Sequence, residues 1–351
     1  MIQVLTTNIT SPLGMTTEQN YQALKSGSSA LKTYQQWKGV QEPFAASVFT
    51  DQQNAELALD GYSRFESMVI RSVSDALTSL KTFDVSKTLF VISTTKGNVE
   101  ELFEGKYLHP GATAKKIAQY FGITSEPIVV CNACISGVTA QILASRLINA
   151  GYYDHAIVCG ADCITPFTVT GFQSFKALSP YECRPFDIER LGLNIGEAAS
   201  TLILGKSEPE EGTRWTLVQG CLNNDAYHVS APSPAGEGTY RAIAKTLQGV
   251  DKTELATVCV HGTATMFNDQ MESKAIAQAQ LSEIPLLALK GYYGHTMGAA
   301  GLLETIITMR SLDDGIILPN RGFEEIGVSG KVTISNQEIK TDKRSFLKII
   351  S

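Results

Sequence analysis

Short apolar runs alternate along this chain with longer stretches whose apolar residues repeat every three or four positions. The runs predict strands at 88–92, 127–131, 155–159, 200–204, 257–260 and 285–288, with a further strand at the N-terminus over 1–6. Several runs are apolar at consecutive positions, which is typical of a sheet that is buried on both faces. The pattern therefore predicts an α/β fold in which helices cover the sheets.

The helical repeat is clearest in three segments, 66–81, 135–149 and 299–312. In each segment the apolar residues follow the three-and-four spacing of one helical face. The segment 135–149 also has apolar residues off that face, at Ala140, Ala144 and Ile148. We therefore expect this helix to be buried on nearly all sides.

Two stretches interrupt the alternation. Residues 165–197 are mixed in polarity and contain three prolines, so we expect them to leave the sheet and to line an active site. Residues 207–214 are polar and acidic and are the best linker candidate. A strand, a reactive residue and a helix follow one another at Cys134, His261 and His295, which suggests similar halves. We place the halves at 1–206 and 207–351.

Charge and hydropathy exclude several classes of protein. The 351 residues carry a formal net charge of −6, which argues against a general nucleic-acid binder because phosphate binding needs clustered positive charge. No apolar run reaches the ~18 residues that a membrane-spanning helix requires. The N-terminus lacks the basic and apolar regions of a signal peptide. The expected location is cytoplasmic, without membrane contact.

Seven cysteines, an odd number, do not suggest a disulfide framework. We expect all of them except Cys134 to be small buried hydrophobes, with Cys131 facing the core. The pair Cys131 and Cys134 has the spacing of a redox or metal motif, but Cys159 and Cys163 make a poor second pair for zinc. Redox and metal roles are therefore the minor alternatives for this pair.

Cys134 follows a buried strand and a short Asn-Ala turn, and it opens the predicted helix 135–149. A thiol at a helix N-terminus meets unpaired backbone N–H groups and the positive end of the helix dipole, and both favour the nucleophilic thiolate. The same N–H groups could stabilise a carbonyl oxygen that becomes negatively charged. His261 and His295 both lie beside glycines where strands end, which is where α/β proteins bind ligands. Either histidine alone could be structural, but two in similar settings together with Cys134 favour catalysis.

These segments resemble the β-ketoacyl synthases of the thiolase-like superfamily, in their elongating Cys-His-His form. The matches occur in family order and cover about residues 88–310. They are Thr94-Thr95-Lys96-Gly97-Asn98, Asn132-Ala133-Cys134-Ile135-Ser136-Gly137, Arg184-Pro185-Phe186-Asp187, Gly196-Glu197-Ala198, His261-Gly262-Thr263-Ala264-Thr265, Asn268-Asp269 and Lys290 through Gly301.

The resemblance implies a thiolase-like fold with two similar βαβαβ halves in five layers, α-β-α-β-α. It implies 3-oxoacyl-ACP synthesis by decarboxylative condensation of an acyl group on Cys134 with malonyl-ACP. His261 and His295 would stabilise the enolate, Lys290 would pair with Glu304 behind His295, and Thr263 and Thr265 would hold the pantetheine arm. No metal or redox cofactor is required, because the substrates are carried on the phosphopantetheine of acyl carrier protein.

The resemblance also implies partners: acyl carrier protein, acyl and malonyl thioesters, and a second subunit in a homodimer or a related heterodimer. Because the carrier is acidic in this family, we expect a local basic patch, for which Arg64 is one candidate. The rather short chain favours a specialised type II pathway, of the polyene or aryl pigment kind, over ordinary fatty acid elongation.

The chain departs from the family pattern at its end, where a Gly-Phe-Gly-Gly loop and a last strand would follow Ser351. In the family that loop supplies a gating Phe and an oxyanion-hole N–H. Ile135 also replaces a small polar residue. Two alternatives therefore stay open. One is a non-catalytic chain-length-factor-like partner subunit. The other is a CoA-dependent thiolase, although thiolases use a second Cys near the C-terminus and none follows Cys259 here.

Overall fold

A computed structural model describes residues 1–80, 84–106, 109–206, 214–228 and 231–351. Its helices are α1 Thr17–Lys25, α2 Asp51–Leu57, α3 Arg64–Leu77, α4 Pro110–Tyr120, α5 Ser136–Asn149, α6 Pro166–Ser174, α7 Glu237–Thr246, α8 Met266–Gln278, α9 Lys290–Tyr293 and α10 Ala300–Asp313. Its strands are β1 Ile2–Thr10, β2 Leu31–Tyr34, β3 Phe44–Ser47, β4 Thr88–Ser93, β5 Ile128–Val130, β6 His155–Asp162, β7 Ile195–Gly196, β8 Ala198–Lys206, β9 Thr216–Leu217, β10 Thr257–Cys259, β11 Pro285–Leu287, β12 Ile316–Ile317, β13 Thr333–Ile334, β14 Ile339–Lys340 and β15 Phe346–Lys348.

The larger sheet has the strand order β5-β4-β6-β8-β1-β9. Strands β4, β5 and β6 run parallel, and β8 pairs antiparallel with both β6 and β1. The second sheet has the order β13-β11-β10-β15, and all of its pairs are parallel. Every predicted strand corresponds to an observed one. Strands β4, β6, β8 and β10 are buried at nearly every position, which explains their continuous apolar runs.

The two sheets are built by the same chain path. In the first, β4-α4-β5-α5-β6 places β4 between β5 and β6; in the second, β10-α8-β11-α10-β15 places β10 between β11 and β15. The prediction of two similar βαβαβ halves is therefore confirmed. The boundary between 206 and 207 stays a prediction, because most of the expected linker lies outside the described residues.

Helices α5 and α10 form the central layer between the sheets. Both are apolar on most sides, and their buried residues, including Ala140 and Ile306, share one hydrophobic cluster with residues of both sheets. Helix α3 packs on the outer face of the first sheet, and α7 and α8 contribute to the cluster on the outer face of the second. The predicted five-layered, thiolase-like α/β fold is thus confirmed.

Glycines allow the central layer to pack closely. A Cβ atom on Gly137 of α5 would lie 3.1 Å from the Gly298 oxygen and 3.1 Å from Gly301 Cα. A Cβ atom on Gly298 would lie 2.6 Å from Thr94 Cα. Non-bonded heavy atoms essentially never lie that close to a real Cβ atom. The two halves therefore meet backbone to backbone at this point, which only glycine permits.

Some boundaries differ from those predicted. Helix α3 begins at Arg64, two residues before the periodic pattern, because Ser63 and Glu66 form a capping box at its start. Residue 81, the predicted end of that helix, lies outside the described residues. The stretch 165–197 contains helix α6 and strand β7, so it is more ordered than its prolines suggested.

Substitution of Ile306 by alanine tests the importance of the central layer. Ile306 is buried in α10, so its truncation leaves a cavity between the sheets and should lower the free energy of unfolding by about 2–5 kcal/mol. Ile188→Ala is the matched control, because that side chain is 55% exposed and its truncation should cost less than about 0.5 kcal/mol. Denaturant unfolding compares the two; equal losses would contradict the central role of α10.

Candidate active site

Cys134 lies in a tight turn between the end of β5 and the start of α5. Ala133 has the left-handed φ of 46°, which turns the chain sharply before the helix. Ser136 fixes the turn: its hydroxyl accepts from the Asn132 N–H at 2.8 Å and donates to the Ala133 oxygen at 2.7 Å. The thiol is thereby held close to the N-terminus of α5, as the sequence predicted.

His295 is held by main-chain contacts from the other half of the molecule. Its N–H donates to the Asn194 oxygen at 2.7 Å, and its own oxygen accepts from the Gly196 N–H at 2.9 Å. The Met297 N–H donates to Nδ1 at 3.2 Å. A neutral imidazole that accepts at Nδ1 carries its proton on Nε2. That Nε2 lies 2.9 Å from Cys134 Sγ, so the histidine donates toward the sulfur.

His261 follows β10 and is held by a buried carboxylate that the sequence analysis did not single out. The oxygens of Glu272 accept from the N–H groups of His261 at 2.6 Å and Gly262 at 2.9 Å. Asp269 binds the next turn through the Thr263 N–H at 3.0 Å. The sequence contains little indication of this role. Glu272 lies on the buried face of α8, but α8 has no amphipathic pattern from which that face could be recognised.

The three reactive side chains meet. The ligand-capable atoms of Cys134, His261 and His295 all lie within 4.8 Å of one another, and the two imidazole rings are nearly perpendicular with centroids 5.0 Å apart. This residue set could in principle bind zinc. However, His295 already accepts at Nδ1, so its Nε2 bears a proton where a metal would need a lone pair. The geometry therefore fits hydrogen-bond donation better than metal ligation.

A buried cluster of charges lies behind the histidines. Lys290 donates to Glu304 Oε1 at 2.6 Å and to the His261 oxygen at 2.5 Å, so the structure contains the predicted Lys290–Glu304 pair. Lys348 donates to the other oxygen of the same carboxylate, at 2.6 Å. Lys348 was not predicted, because a lysine in a short strand is usually exposed.

Burial sets the protonation states of the reactive groups. It raises the pKa of the Cys134 thiol to about 11, although Lys290 and Lys96 act in the opposite direction. Burial and the neighbouring Lys290 hold the pKa of both His261 and His295 well below the ordinary value. The effect of the helix N-terminus, which favours the thiolate, is thus outweighed by burial, and the site rests as a neutral thiol beside two neutral imidazoles.

A cavity of about 950 Å³ opens onto these residues. Thr263 and Thr265 line it, and their hydroxyl oxygens are 2.9 Å apart. The stretch 165–197 contributes apolar side chains to the same wall, among them Phe172, Leu191 and Leu193. The prediction that this stretch lines the site is therefore confirmed.

Three expectations about other residues were wrong. Cys131 is exposed, because β5 ends at Val130 and the chain has already left the sheet. Cys221 is only partly buried, in a loop beside the cavity. Arg64 is not available as part of a basic docking patch, because its guanidinium pairs with Glu100 at 2.8 Å and with the buried Glu197 at 2.7 Å.

The fold and site belong to a known class of enzymes. Residues 85–209 match the family described as "Beta-ketoacyl synthase, N-terminal domain", and residues 216–324 match "Beta-ketoacyl synthase, C-terminal domain". The chain belongs to the β-ketoacyl synthase family, whose members are acyltransferases of the 3-oxoacyl-ACP synthase type. It is a condensing enzyme of fatty acid or type II polyketide synthesis.

One relative agrees with this assignment in its sequence, and one solved structure agrees with the fold. A protein of Schizosaccharomyces pombe named "Putative 3-oxoacyl-[acyl-carrier-protein] synthase, mitochondrial" is 27% identical, over 89% of this chain and 86% of its own length. The solved structure titled "The ishigamide ketosynthase/chain length factor" superposes with a TM-score of 0.88 at 23% identity, over 99% of this chain and 94% of its own.

A second solved structure, "Ketosynthase (ApeO) in Complex with its Chain Length Factor (ApeC) from Xenorhabdus doucetiae", is 25% identical with a TM-score of 0.77. It covers 97% of this chain and 92% of its own. Among the described helices of the present protein, none has the length and apolar character needed to cross a membrane.

The high pKa of Cys134 predicts the pH dependence of its alkylation. Because thiolate is the reactive form, the rate of iodoacetamide labelling should rise about tenfold per pH unit from pH 7 to 10 without levelling off. Site-resolved mass spectrometry of the labelled peptide measures this rate. The urea-unfolded chain is the control, since there the rate should level off near the ordinary thiol pKa of about 8.5. A plateau below pH 8 in the folded protein would contradict the assignment.

Proposed function

We propose that this protein is an elongating 3-oxoacyl-ACP synthase in which Cys134 carries the growing acyl chain and His261 and His295 stabilise the enolate of malonyl-ACP. The observation that carries the proposal is the meeting of one thiol and two neutral imidazoles at the wall of a large cavity. Each group has a separate task in the two steps that follow.

In the first step Cys134 accepts an acyl group from a carrier thioester. The sulfur attacks the thioester carbonyl, the bond to the carrier sulfur breaks, and the proton of the Cys134 thiol passes to the departing thiolate. The Nε2–H of His295, 2.9 Å from the sulfur, stabilises the negative charge that develops there. The N-terminus of α5 acts in the same direction, and together they offset part of the cost that burial imposes on the thiolate.

In the second step malonyl-ACP loses carbon dioxide and leaves an enolate, whose oxygen is negatively charged. Two neutral imidazoles suit this oxygen, because each has one N–H that can donate a hydrogen bond to the negative charge. The lowered pKa of both rings keeps them in that form. The enolate carbon attacks the acyl-Cys134 carbonyl, 3-oxoacyl-ACP leaves, and the released thiolate takes up one proton to restore the resting thiol.

The carrier arm needs polar contacts along an otherwise apolar cavity. Thr263 and Thr265 line the cavity beside His261, and their hydroxyl groups offer a donor and an acceptor to the amides of a pantetheine. The remaining wall is rich in apolar side chains such as Phe172 and Leu193, which suit an acyl chain. Lys290 and Glu304 support the histidines from behind.

The pathway and partners belong to the same proposal. The Xenorhabdus ketosynthase is described in complex with its chain length factor, and its 25% identity supports a related subunit as the partner here. A homodimer is the other arrangement. We favour a specialised type II pathway, of the polyene or aryl pigment kind, with acyl carrier protein as the substrate carrier and a cytoplasmic location.

Two other roles are less well supported. A non-catalytic partner subunit would have no use for a thiol held against a donor histidine, as Cys134 is. A thiolase would use a second cysteine as base, and the cavity's other cysteine, Cys221, lies outside the Cys134, His261 and His295 cluster. Acylation of Cys134 distinguishes the synthase from the partner subunit, and decarboxylation of malonyl-ACP distinguishes it from the thiolase.

Intact-mass analysis with acyl carrier donors tests the nucleophile. The wild-type chain should gain one acyl group whose mass follows the donor length, and Cys134→Ala should gain none, since it lacks the sulfur that forms the thioester. Cys131→Ala is the matched control from the same turn and should acylate like the wild type, because Cys131 is exposed and outside the cluster. Acylation of folded Cys134→Ala would place the nucleophile elsewhere.

Substitution of His261 by alanine separates the two steps. Loss of one enolate donor should slow malonyl-ACP decarboxylation and condensation by about 100- to 1,000-fold, while acylation of Cys134 continues. Carbon dioxide release and acyl mass are measured on the same sample. His109→Asn is the control, because His109 caps α4, is neither in the cluster nor on the cavity wall, and asparagine is also a good cap. An equal loss of both steps would contradict the assigned role of His261.

A further inference from the structure

Lys348 ends strand β15, next to β10, and its side chain reaches behind His261. Its Nζ donates to Glu304 Oε2 at 2.6 Å and to the oxygens of Ile349 at 2.7 Å and Val260 at 3.2 Å. The side chain is only 8% exposed and forms part of the cavity wall. A buried ammonium group at this place requires an explanation, because removing such a charge from water is costly.

Charge balance alone does not provide the explanation. Lys290 and Lys348 each lie 2.6 Å from one oxygen of the single Glu304 carboxylate. The carboxylate therefore has one ammonium partner more than it needs, and the group carries a net charge of +1. Ion pairing would be complete with Lys290 and Glu304, since a buried pair needs one charge of each sign.

The other groups around Lys348 offset only part of this charge. Glu272 is the next carboxylate; it binds the main chain of His261, and burial raises its pKa to about 7. Cys259 is a thiol, and burial raises its pKa above the ordinary thiol value. Burial alone would lower the pKa of Lys348, but the Glu304 carboxylate 2.6 Å away raises it above the ordinary value, so the ammonium stays protonated. His261 and His295 are titratable groups of the active site on which the positive charge of Lys348 acts.

We propose that Lys348 is a second positioning lysine of the active site, whose charge keeps both histidines neutral and stabilises the enolate oxygen. The proposal rests on the proposed condensation reaction. Lys348 does not touch the reacting atoms; it acts through His261, His295 and the potential at the cavity wall. Its charge lowers the pKa of both rings together with burial and Lys290, so the site has two lysines and one glutamate where a simple ion pair would have one of each.

Lys348→Met tests this by removing the charge and keeping the length of the side chain. Malonyl-ACP decarboxylation should slow by about 10- to 100-fold, the range for groups that support a site from behind. KM for malonyl-ACP should stay within about twofold. Acylation of Cys134 should persist. The acidic limb of the rate–pH profile should move to higher pH, because the histidines protonate more easily once a neighbouring positive charge is gone.

Two further variants separate charge from packing. Lys348→Arg keeps the charge and should restore most of the rate. Lys331→Met removes a lysine that is 77% exposed in the same half of the chain and should leave rate and pH profile unchanged. A folded Lys348→Met with the wild-type rate and pH profile would overturn the proposal. So would an Arg variant that folds and acylates like the wild type but condenses as poorly as Lys348→Met.

One measurement needs no variant and covers the case in which Lys348→Met fails to fold. Nitrogen-15 NMR of the histidine rings in the wild-type protein should find His261 and His295 still neutral well below pH 6.5, while the histidines of the urea-unfolded chain titrate at about pH 6.5. Protonation of either active-site ring near pH 6.5 would overturn the inference. If the proposed condensation reaction itself is wrong, the result is different: the wild-type protein will neither acylate Cys134 nor decarboxylate malonyl-ACP.

Discussion

The close contact between α5 and the segment that leads into α10 is the constraint on which the site depends. Cys134 comes from one half of the chain, and both histidines come from the other. Gly137, Gly298 and Gly301 let the two main chains touch, and the Gly298 N–H donates to the buried Asp162 at 2.8 Å. Side chains at these positions would push the halves apart, and a separation of 1 Å would already break the 2.9 Å contact between His295 and Cys134.

Burial has opposite consequences for the two kinds of reactive group. It raises the pKa of the thiol and lowers the pKa of the imidazoles, so every member of the cluster rests uncharged. Charge is present one layer behind, on Lys290, Glu304 and Lys348, where it cannot react. The site thus has a fixed positive potential at its back and neutral donors at its front. An oxyanion can form there with little rearrangement of its surroundings.

Much of this arrangement could be predicted from the sequence. The strands could be predicted because buried strands appear in the sequence as continuous apolar runs. Cys134, His261 and His295 could be predicted because they lie beside glycines at the ends of such strands. Lys348 and Glu272 could not be found in this way. Both are charged residues, which are usually exposed, and only the folding of β15 against β10 and of α8 against the turn at Gly262 buries them. The position of Cys131 was missed because β5 ends one residue earlier than its apolar run.

The repeated βαβαβ path also places Cys134 and His295 at corresponding points, the first after β5 and before α5, the second after β11 and before α10. One structural position therefore holds the nucleophile in one half and a hydrogen-bond donor in the other. Each half supplies only part of the active site, and neither could catalyse a step by itself. The chemistry arises from a difference between two otherwise matching units, so a change that made their turns more alike would abolish activity while leaving the architecture intact.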